Sequence, residues 1–245
     1  MLRPRTAAEI LDGAFQLLRA HYAPLVSASL VLVAPFALLE IAVPEPARWM
    51  TGLLTNLALM AGNAATVLIV AYAYLGRPIG AMAAVRTVLA RFPSVWGAAF
   101  LQGIAVIVGF LLLVIPGFVA LAWTFAMPMV VMVEGVGAGD AFERSKSLVR
   151  GDVLRVLGIL ALAYALYFVA ILGISLTLGF ILGALGAGDT LLEALGGVLA
   201  ITFYPLIGVV GTLLYFDLRI RKEAFDLEVL LDDEVEELPA APALT

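Results

Sequence analysis

The chain has 245 residues, of which 63% are hydrophobic and only 13% are charged. Soluble domains are about half apolar and about a quarter charged, so this composition excludes a soluble globular protein and indicates an integral membrane protein. The apolar segments have the lengths of membrane helices, which predicts an all-α, polytopic fold in one domain over residues 1–225. The net charge of −5 depends on the acidic C-terminal segment 226–245, which we predict to be partly disordered.

Three short amphipathic helices are predicted at the cytoplasmic membrane surface, at about residues 7–21, 79–92 and 140–150. The first begins with Thr6 and Glu9 in the spacing of a capping box, followed by apolar residues at helical spacing. Basic residues lie on or beside all three helices, so the anionic headgroups of the lipid bilayer are their expected partners. A cleaved signal peptide is not expected, because charged residues interrupt residues 1–21.

About six membrane spans complete the predicted topology. A span needs about 20 apolar residues, and the apolar runs lie at about 22–43, 51–75, 94–115, 118–133, 153–185 and 190–216. When the N-terminus is placed in the cytoplasm, every basic residue except Arg48 falls on the cytoplasmic side. This bias predicts that both termini are cytoplasmic and that the protein is a multi-pass protein of the cell inner (cytoplasmic) membrane.

The resulting layout has three units, each a surface helix followed by two spans. The units resemble one another in architecture more than in sequence, and whether they arose by duplication stays open.

Proline and glycine residues mark the central part of the chain. Pro116 and Gly117 are predicted to form the sharp turn between the third and fourth spans, because proline cannot continue a helix and glycine accepts a positive φ. The turn either reaches the interface or stays covered by protein. Pro128 lies inside the fourth span and is expected to break its helix.

The third surface helix is predicted to begin at Asp140, which would cap it together with Glu143. Ser145 is assigned to the face towards the bilayer or the bundle, and Arg150 to the face towards water or lipid phosphates. Gly151 is expected to end the helix in the C′ position.

Two carboxylates, Glu134 and Asp217, lie near the predicted cytoplasmic ends of their spans. We predict that they pair with nearby arginines and thereby lock the surface helices to the bundle. The candidate arginines are Arg144, Arg150, Arg219 and Arg221. Boundary charges that are simply solvated are an equal alternative.

Three amide side chains fall inside the predicted spans, namely those of Asn56, Asn63 and Gln102. Amides in hydrocarbon need hydrogen-bond partners, so they are expected to face other helices. A role in substrate binding is the second interpretation. A buried polar cavity joining Asn63 and Gln102 would favour transport, whereas tight glycine packing would favour a structural role.

No catalytic or metal-binding pattern is found in the sequence. His21 is the only histidine and cysteine is absent, so neither a metal site nor a nucleophile triad is expected. We therefore predict a protein that is not an enzyme, with no cofactor and no nucleic-acid partner.

A pattern of proline, glycine and charged residues between the apolar runs carries a family resemblance. Its elements are I-P-G at 115–117, Pro128, Glu134, A-F-E-R-S-K-S-L-V-R-G at 141–151 and T-L-L-Y-F-D-L-R-I-R-K-E-A-F-D-L-E at 212–228. This pattern resembles the glycerophosphoryl diester phosphodiesterase membrane-domain family and related uncharacterised bacterial integral membrane proteins, over most of the chain. The resemblance implies a multi-span helical domain. It does not imply phosphodiesterase activity, because the catalytic barrel of those enzymes is a separate soluble part.

The favoured functional interpretation is a non-enzymatic membrane scaffold or accessory subunit. Three basic surface helices and an acidic tail, without catalytic residues, are suited to docking a membrane or cytoplasmic protein. The alternative is a transporter or lipid-handling protein, because interior prolines and polar residues can build sites near the bilayer midplane.

Overall fold

The computed structural model describes residues 5–186, 188, 195–199 and 202–223. These residues are almost entirely helical and contain no strand. Nine helices are named in chain order: α1 (Ala7–Ala20), α2 (Tyr22–Ala42), α3 (Arg48–Tyr74), α4 (Ala81–Ala90), α5 (Phe92–Leu112), α6 (Val114–Thr124), α7 (Ala138–Val149), α8 (Val153–Ala184) and α9 (Pro205–Glu223). Short helical turns at Glu45–Ala47, Met127–Met129 and Val130–Glu134 connect them.

Five helical segments of the described residues are long and apolar enough to cross a membrane. They are Tyr22–Leu39, Arg48–Tyr74, Phe92–Leu112, Val114–Glu134 and Val153–Ala184, and they correspond to the first five predicted spans. The protein is therefore an all-α, multi-pass membrane protein, as the sequence predicts.

The sixth span is predicted at 190–216. Of these residues, 190–194, 200 and 201 lie outside the described part of the chain. The second half of the span is α9, which continues without a break to Glu223, past the predicted membrane exit at Asp217. The acidic segment 226–245 also lies outside the described residues.

All three of the short helices predicted at the surface begin within two residues of their predicted starts. In α1 the Thr6 hydroxyl accepts a hydrogen bond from the Glu9 N–H at 3.3 Å, and the Glu9 carboxylate accepts one from the Thr6 N–H at 2.8 Å, which confirms the capping box. The second helix, α4, is shorter than predicted.

The third surface helix, α7, differs from the prediction in its N-cap residue. It begins at Ala138 with Gly137 as its N-cap residue, and no side chain caps it. The prediction that Asp140 caps this helix is therefore wrong. Asp140 lies in the first turn, where its charge still favours the helix dipole. Gly151 has φ of +94°, so its predicted C′ role is confirmed.

The core is centred on α9, whose residues from Pro205 to Leu218 are nearly all buried, among them Tyr215 and Phe216. Glycines on α9 allow its neighbours to come close. A Cβ on Gly208 would lie 2.7 Å from Asn63 Oδ1 on α3, and one on Gly211 would lie 2.6 Å from Met129 Cε. In contrast, α5 and α8 expose most of their apolar surface, as helices that face lipid do.

The turn between the third and fourth spans lies earlier than predicted. Leu113 is extended, with φ −172° and ψ 164°, and separates α5 from α6. Pro116 is in the first turn of α6, where a missing N–H has no cost. Gly117 is helical, not at positive φ. It is needed because a Cβ there would lie 2.4 Å from the Phe110 ring. The prediction of a Pro116–Gly117 turn is therefore wrong, although both residues shape the hairpin.

The predicted disruption at Pro128 is confirmed, and the structure locates it. The helix is interrupted at Phe125 and Ala126. Helical structure resumes at Met127, with Pro128 in the first turn. The following residues, Val130–Glu134, form a π-helical turn that ends at Gly135 with φ of +73°. Proline lacks an N–H and crowds the preceding turn, so the break precedes it.

Candidate functional site

The last two turns of α9 carry a buried carboxylate, Asp217, whose side chain is 1% exposed. Its Oδ2 atom accepts hydrogen bonds from Arg155 at 2.6 Å and from Arg221 at 2.9 Å, while its Oδ1 accepts one from the Arg5 backbone N–H at 2.6 Å. Both guanidinium groups also donate to the Arg5 carbonyl oxygen, each at 2.7 Å. We call Arg5, Arg155, Asp217 and Arg221 the Asp217 cluster.

The Asp217 cluster connects three parts of the chain that are far apart in sequence. Arg5 immediately precedes α1, Arg155 lies in the first turn of α8, and Asp217 and Arg221 lie on α9. The Arg5 guanidinium also lies over the ring of Tyr74, 5.3 Å from its centroid. A carboxylate with three short, charge-assisted or backbone hydrogen bonds is held in one position, and it fixes the three segments that donate to it.

A second group of charges joins α7 to α9 and to the π-helical turn. The Arg144 Nε atom donates to both Glu134 oxygens, at 2.9 and 3.1 Å. The terminal nitrogens of Arg144 bind the Glu223 carboxylate, and its Nη2 lies 2.8 Å from Oε2. Tyr215 donates to Glu134 at 2.7 Å, and Arg219 donates to Glu223 at 3.1 Å. We call these five residues the Glu134 cluster.

Within the Glu134 cluster, Arg144 and Glu223 favour each other's charged form. The hydrogen bond to Glu223 is the main cause that raises the pKa of Arg144 further above its usual value, although partial burial opposes it. Partial burial alone would raise the pKa of Glu223, but the hydrogen bonds from Arg144 and Arg219 outweigh it and lower that pKa below its usual value. Each group is thus favoured in its charged form near neutral pH.

The predicted carboxylate–arginine pairs are found in part. Glu134 pairs with Arg144 and Asp217 with Arg221, as predicted. Arg219 pairs with Glu223, a carboxylate that the prediction did not name. These contacts connect α7 to α9, as the locking prediction requires.

Arg150 departs from the prediction, because no described contact joins its guanidinium to either carboxylate. It contributes only its backbone carbonyl, which accepts a hydrogen bond from Lys222 Nζ at 2.5 Å. Lys222 in turn lies 3.3 Å from Asp152.

Four members of the clusters were missed at the sequence level, namely Arg5, Arg155, Tyr215 and Glu223. Glu223 lies four residues after Arg219, a helical spacing that favours an ion pair, so this contact had a local signal. Arg155 had none, because its partner Asp217 is 62 residues away. Only the packing of α8 beside α9 brings these two residues together.

Ser145 forms hydrogen bonds with the backbone of the interrupted helix and belongs to neither charge cluster. Its buried hydroxyl donates to the Trp123 carbonyl at 2.6 Å and accepts from the Ala126 N–H at 3.2 Å. Arg91 acts similarly on the π-helical turn, where its Nη1 donates to the carbonyls of Val131 and Met132 at 3.3 Å. Ser145 thus satisfies backbone groups at the break near Pro128, and Arg91 satisfies carbonyls in the last turn of the π-helical segment.

The three intramembrane amides do not share a common arrangement. Asn56 is exposed, and its amide donates to the Gly52 carbonyl of its own helix at 2.8 Å. Asn63 is half-buried against Gly208, which fits the expected interhelical contact. Gln102 is half-buried on α5. Asn63 therefore lies at a tight glycine contact, the arrangement that favours a structural role.

Two other features are a pair of buried hydroxyls and an open groove on the outer surface of the bundle. The hydroxyls of Ser29 and Thr66 are buried without a hydrogen-bond partner. An apolar groove of about 240 Å³ runs between α3 and α5. It is lined by Leu57, Met60, Trp96, Ala99, Phe100, Gly103, Ile104 and Ile107.

The described residues contain no group of three histidine, cysteine or acidic residues placed to hold a metal ion. The carboxylates of the two clusters are engaged by guanidinium groups, which makes them suited to fixing helices. Comparisons with protein-family models, with curated proteins and with solved structures found no match for this chain. The family resemblance accordingly stays a prediction.

Proposed function

We propose that this protein is a non-enzymatic membrane scaffold or accessory subunit that presents one charged face to a protein partner. The observation that carries the proposal is the convergence of α1, α7 and the start of α8 on the end of α9 through the Asp217 and Glu134 clusters. A surface held by several paired charges changes little on binding and loses little conformational entropy.

The proposed orientation places this charged face in the cytoplasm, with both termini inside, in the cell inner membrane. The excess of arginine and lysine at this end supports that assignment. Exposed basic residues such as Arg86 and Arg150 are proposed to contact anionic headgroups beside the docked partner. The resemblance to the phosphodiesterase membrane-domain family agrees with this proposal, because it implies a membrane domain and no catalytic residues.

The experiment is quantitative mass spectrometry of the tagged full chain, extracted at native abundance in lipid-preserving particles. We expect a stoichiometric protein partner that is lost when residues 226–245 are deleted. Arg150→Ala should weaken its capture by removing a headgroup contact beside the docked partner. It should not disturb the clusters, because the Arg150 carbonyl binds Lys222, which belongs to neither cluster. Arg48→Ala, at the opposite end of the bundle, is the matched control and should have no effect.

A second candidate function, transport or lipid handling, is favoured by two particular observations. These are the apolar groove between α3 and α5 and the unpartnered hydroxyls of Ser29 and Thr66. The same experiment separates the two functions. If no partner is recovered while one lipid or small molecule is strongly enriched over a control membrane protein, the scaffold proposal is wrong and the second function replaces it.

A further inference from the structure

The hairpin of α5 and α6 has an unusual tip. No charged residue occurs from Phe92 to Val133, and the residues around the turn at Leu113 are all apolar. By contrast, the turn between α2 and α3 contains Glu45 and Arg48 with the neighbouring Trp49, the residue types that anchor a turn in the headgroup region.

Nothing in the described part of the chain covers this tip. Leu111 is 80% exposed, Leu113 is 70% exposed and Ile115 is 77% exposed. The two helices contact each other closely below the tip, where a Cβ on Gly109 would lie 3.0 Å from Gly117 Cα. The tip therefore projects from the bundle as an uncharged apolar surface.

The length of α5 determines how deep the tip lies in a bilayer. The helix begins beside Arg91, which contacts the π-helical turn next to the Glu134 cluster, so its start lies at the charged end of the bundle. With 21 residues and a rise of about 1.5 Å per residue, α5 extends about 32 Å. The hydrocarbon core is about 30 Å thick. The tip thus lies near the far boundary of the hydrocarbon, and any tilt of α5 brings it deeper inside.

The backbone of the turn is adapted to such a position. The Leu113 N–H donates to the Gly109 carbonyl at 3.1 Å, and the Gly117 N–H donates to the Leu113 carbonyl at 3.2 Å. The first N–H groups of a helix have no acceptor within that helix. Pro116 lies in the first turn of α6 and has no N–H, so the number of such unsatisfied donors is smaller by one. Unsatisfied donors cost several kcal/mol in hydrocarbon, and only those of Val114 and Ile115 are left in the first turn of α6. Ester oxygens at the edge of the hydrocarbon are able to accept from them.

We propose that the α5–α6 hairpin ends inside the bilayer, with its tip in contact with the acyl chains and ester groups of the far leaflet and with no aqueous loop. The surface at residues 111–115 is thus a lipid-contact surface. This inference is independent of the proposed scaffold function. If it holds, the protein offers no water-exposed docking surface at this hairpin, and partners are limited to the charged end or to the sides of the bundle.

The absence of cysteine makes a spin-label experiment free of background labelling. Leu113→Cys is made in the full chain, labelled in detergent and returned to phospholipid vesicles. Collision rates with oxygen, which partitions into lipid, and with a water-soluble nickel chelate are then compared. Pro46→Cys in the exposed α2–α3 turn is the aqueous control, and Phe168→Cys on exposed apolar surface of α8 is the lipid control. Ile115→Cys repeats the tip measurement.

We expect the label at residue 113 to collide several-fold more often with oxygen than with the nickel chelate, as at residue 168 and opposite to residue 46. Frequent nickel collisions at 113 would overturn the proposal by showing an aqueous loop. Low collision rates with both reagents would overturn it too, because they indicate that protein, such as a second copy of the chain, covers the tip.

Discussion

Substitution of Asp217 by asparagine is the sharpest test of how the surface segments are fixed. The side chain keeps its shape, and its oxygen is still able to accept the Arg5 N–H. The negative charge between Arg155 and Arg221 is lost, and an amide NH₂ group then faces two guanidinium groups. The helices therefore lose their attraction at this point, and two cations are left close together without a counterion.

The expected cost follows from burial and geometry. Removing one partner of a buried ion pair costs about 3–5 kcal/mol. Asp217 is almost completely buried, but the side chains of Arg155 and Arg221 are 24% and 34% exposed, so water screens part of the remaining charge. We therefore expect a loss of about 3 kcal/mol in the free energy of unfolding, at the lower end of that range.

The assay is reversible unfolding in mixed micelles with increasing denaturing detergent, followed by circular dichroism. Asp140→Asn is the matched control, since Asp140 is exposed in the first turn of α7, and it should cost less than about 1 kcal/mol. A double-mutant cycle with Arg155→Gln should give a coupling energy of about 1 kcal/mol or more. Equal losses for Asp217→Asn and Asp140→Asn, with no coupling to Arg155, would refute the locking role.

Four further predictions concern other parts of the bundle. Glu134→Gln should lower the melting temperature, because it weakens the contact between α7 and the π-helical turn; an unchanged melting temperature would contradict this. Ser145→Ala should cost about 1–3 kcal/mol and increase hydrogen exchange at the interrupted helix, and normal exchange there would show that the hydroxyl is dispensable. Gly117→Ala should cost about 1–3 kcal/mol through overpacking, whereas Gly103→Ala, which meets open space, should be tolerated. The pKa of Glu223 is lowered in the folded protein. The contribution of its ionised carboxylate to the free energy of unfolding is therefore complete above the ordinary pKa of 4.5 and is lost as the pH falls through the lower folded value. Melting temperature should fall with acidification over that interval, and Glu223→Gln should reduce this dependence.

The sequence by itself determined the class of the fold and most of its elements. Apolar runs of span length cannot be accommodated in water, and in a bilayer only helices satisfy their own backbone, so the first five spans follow from composition and length. The Thr6–Glu9 cap and the Gly151 helix end were also predictable, because each depends on groups within a few residues.

Features that depend on contacts between helices were decided only by the tertiary structure. Gly117 was expected at positive φ, but its role is to admit the Phe110 ring, which lies on the neighbouring helix. The partnership of Arg155 with Asp217 required α8 and α9 to pack side by side, and no local pattern encodes that. Local signals act over about one helical turn, whereas charge pairing and close packing depend on distances in space, so the second kind of information appears only when the helices are assembled.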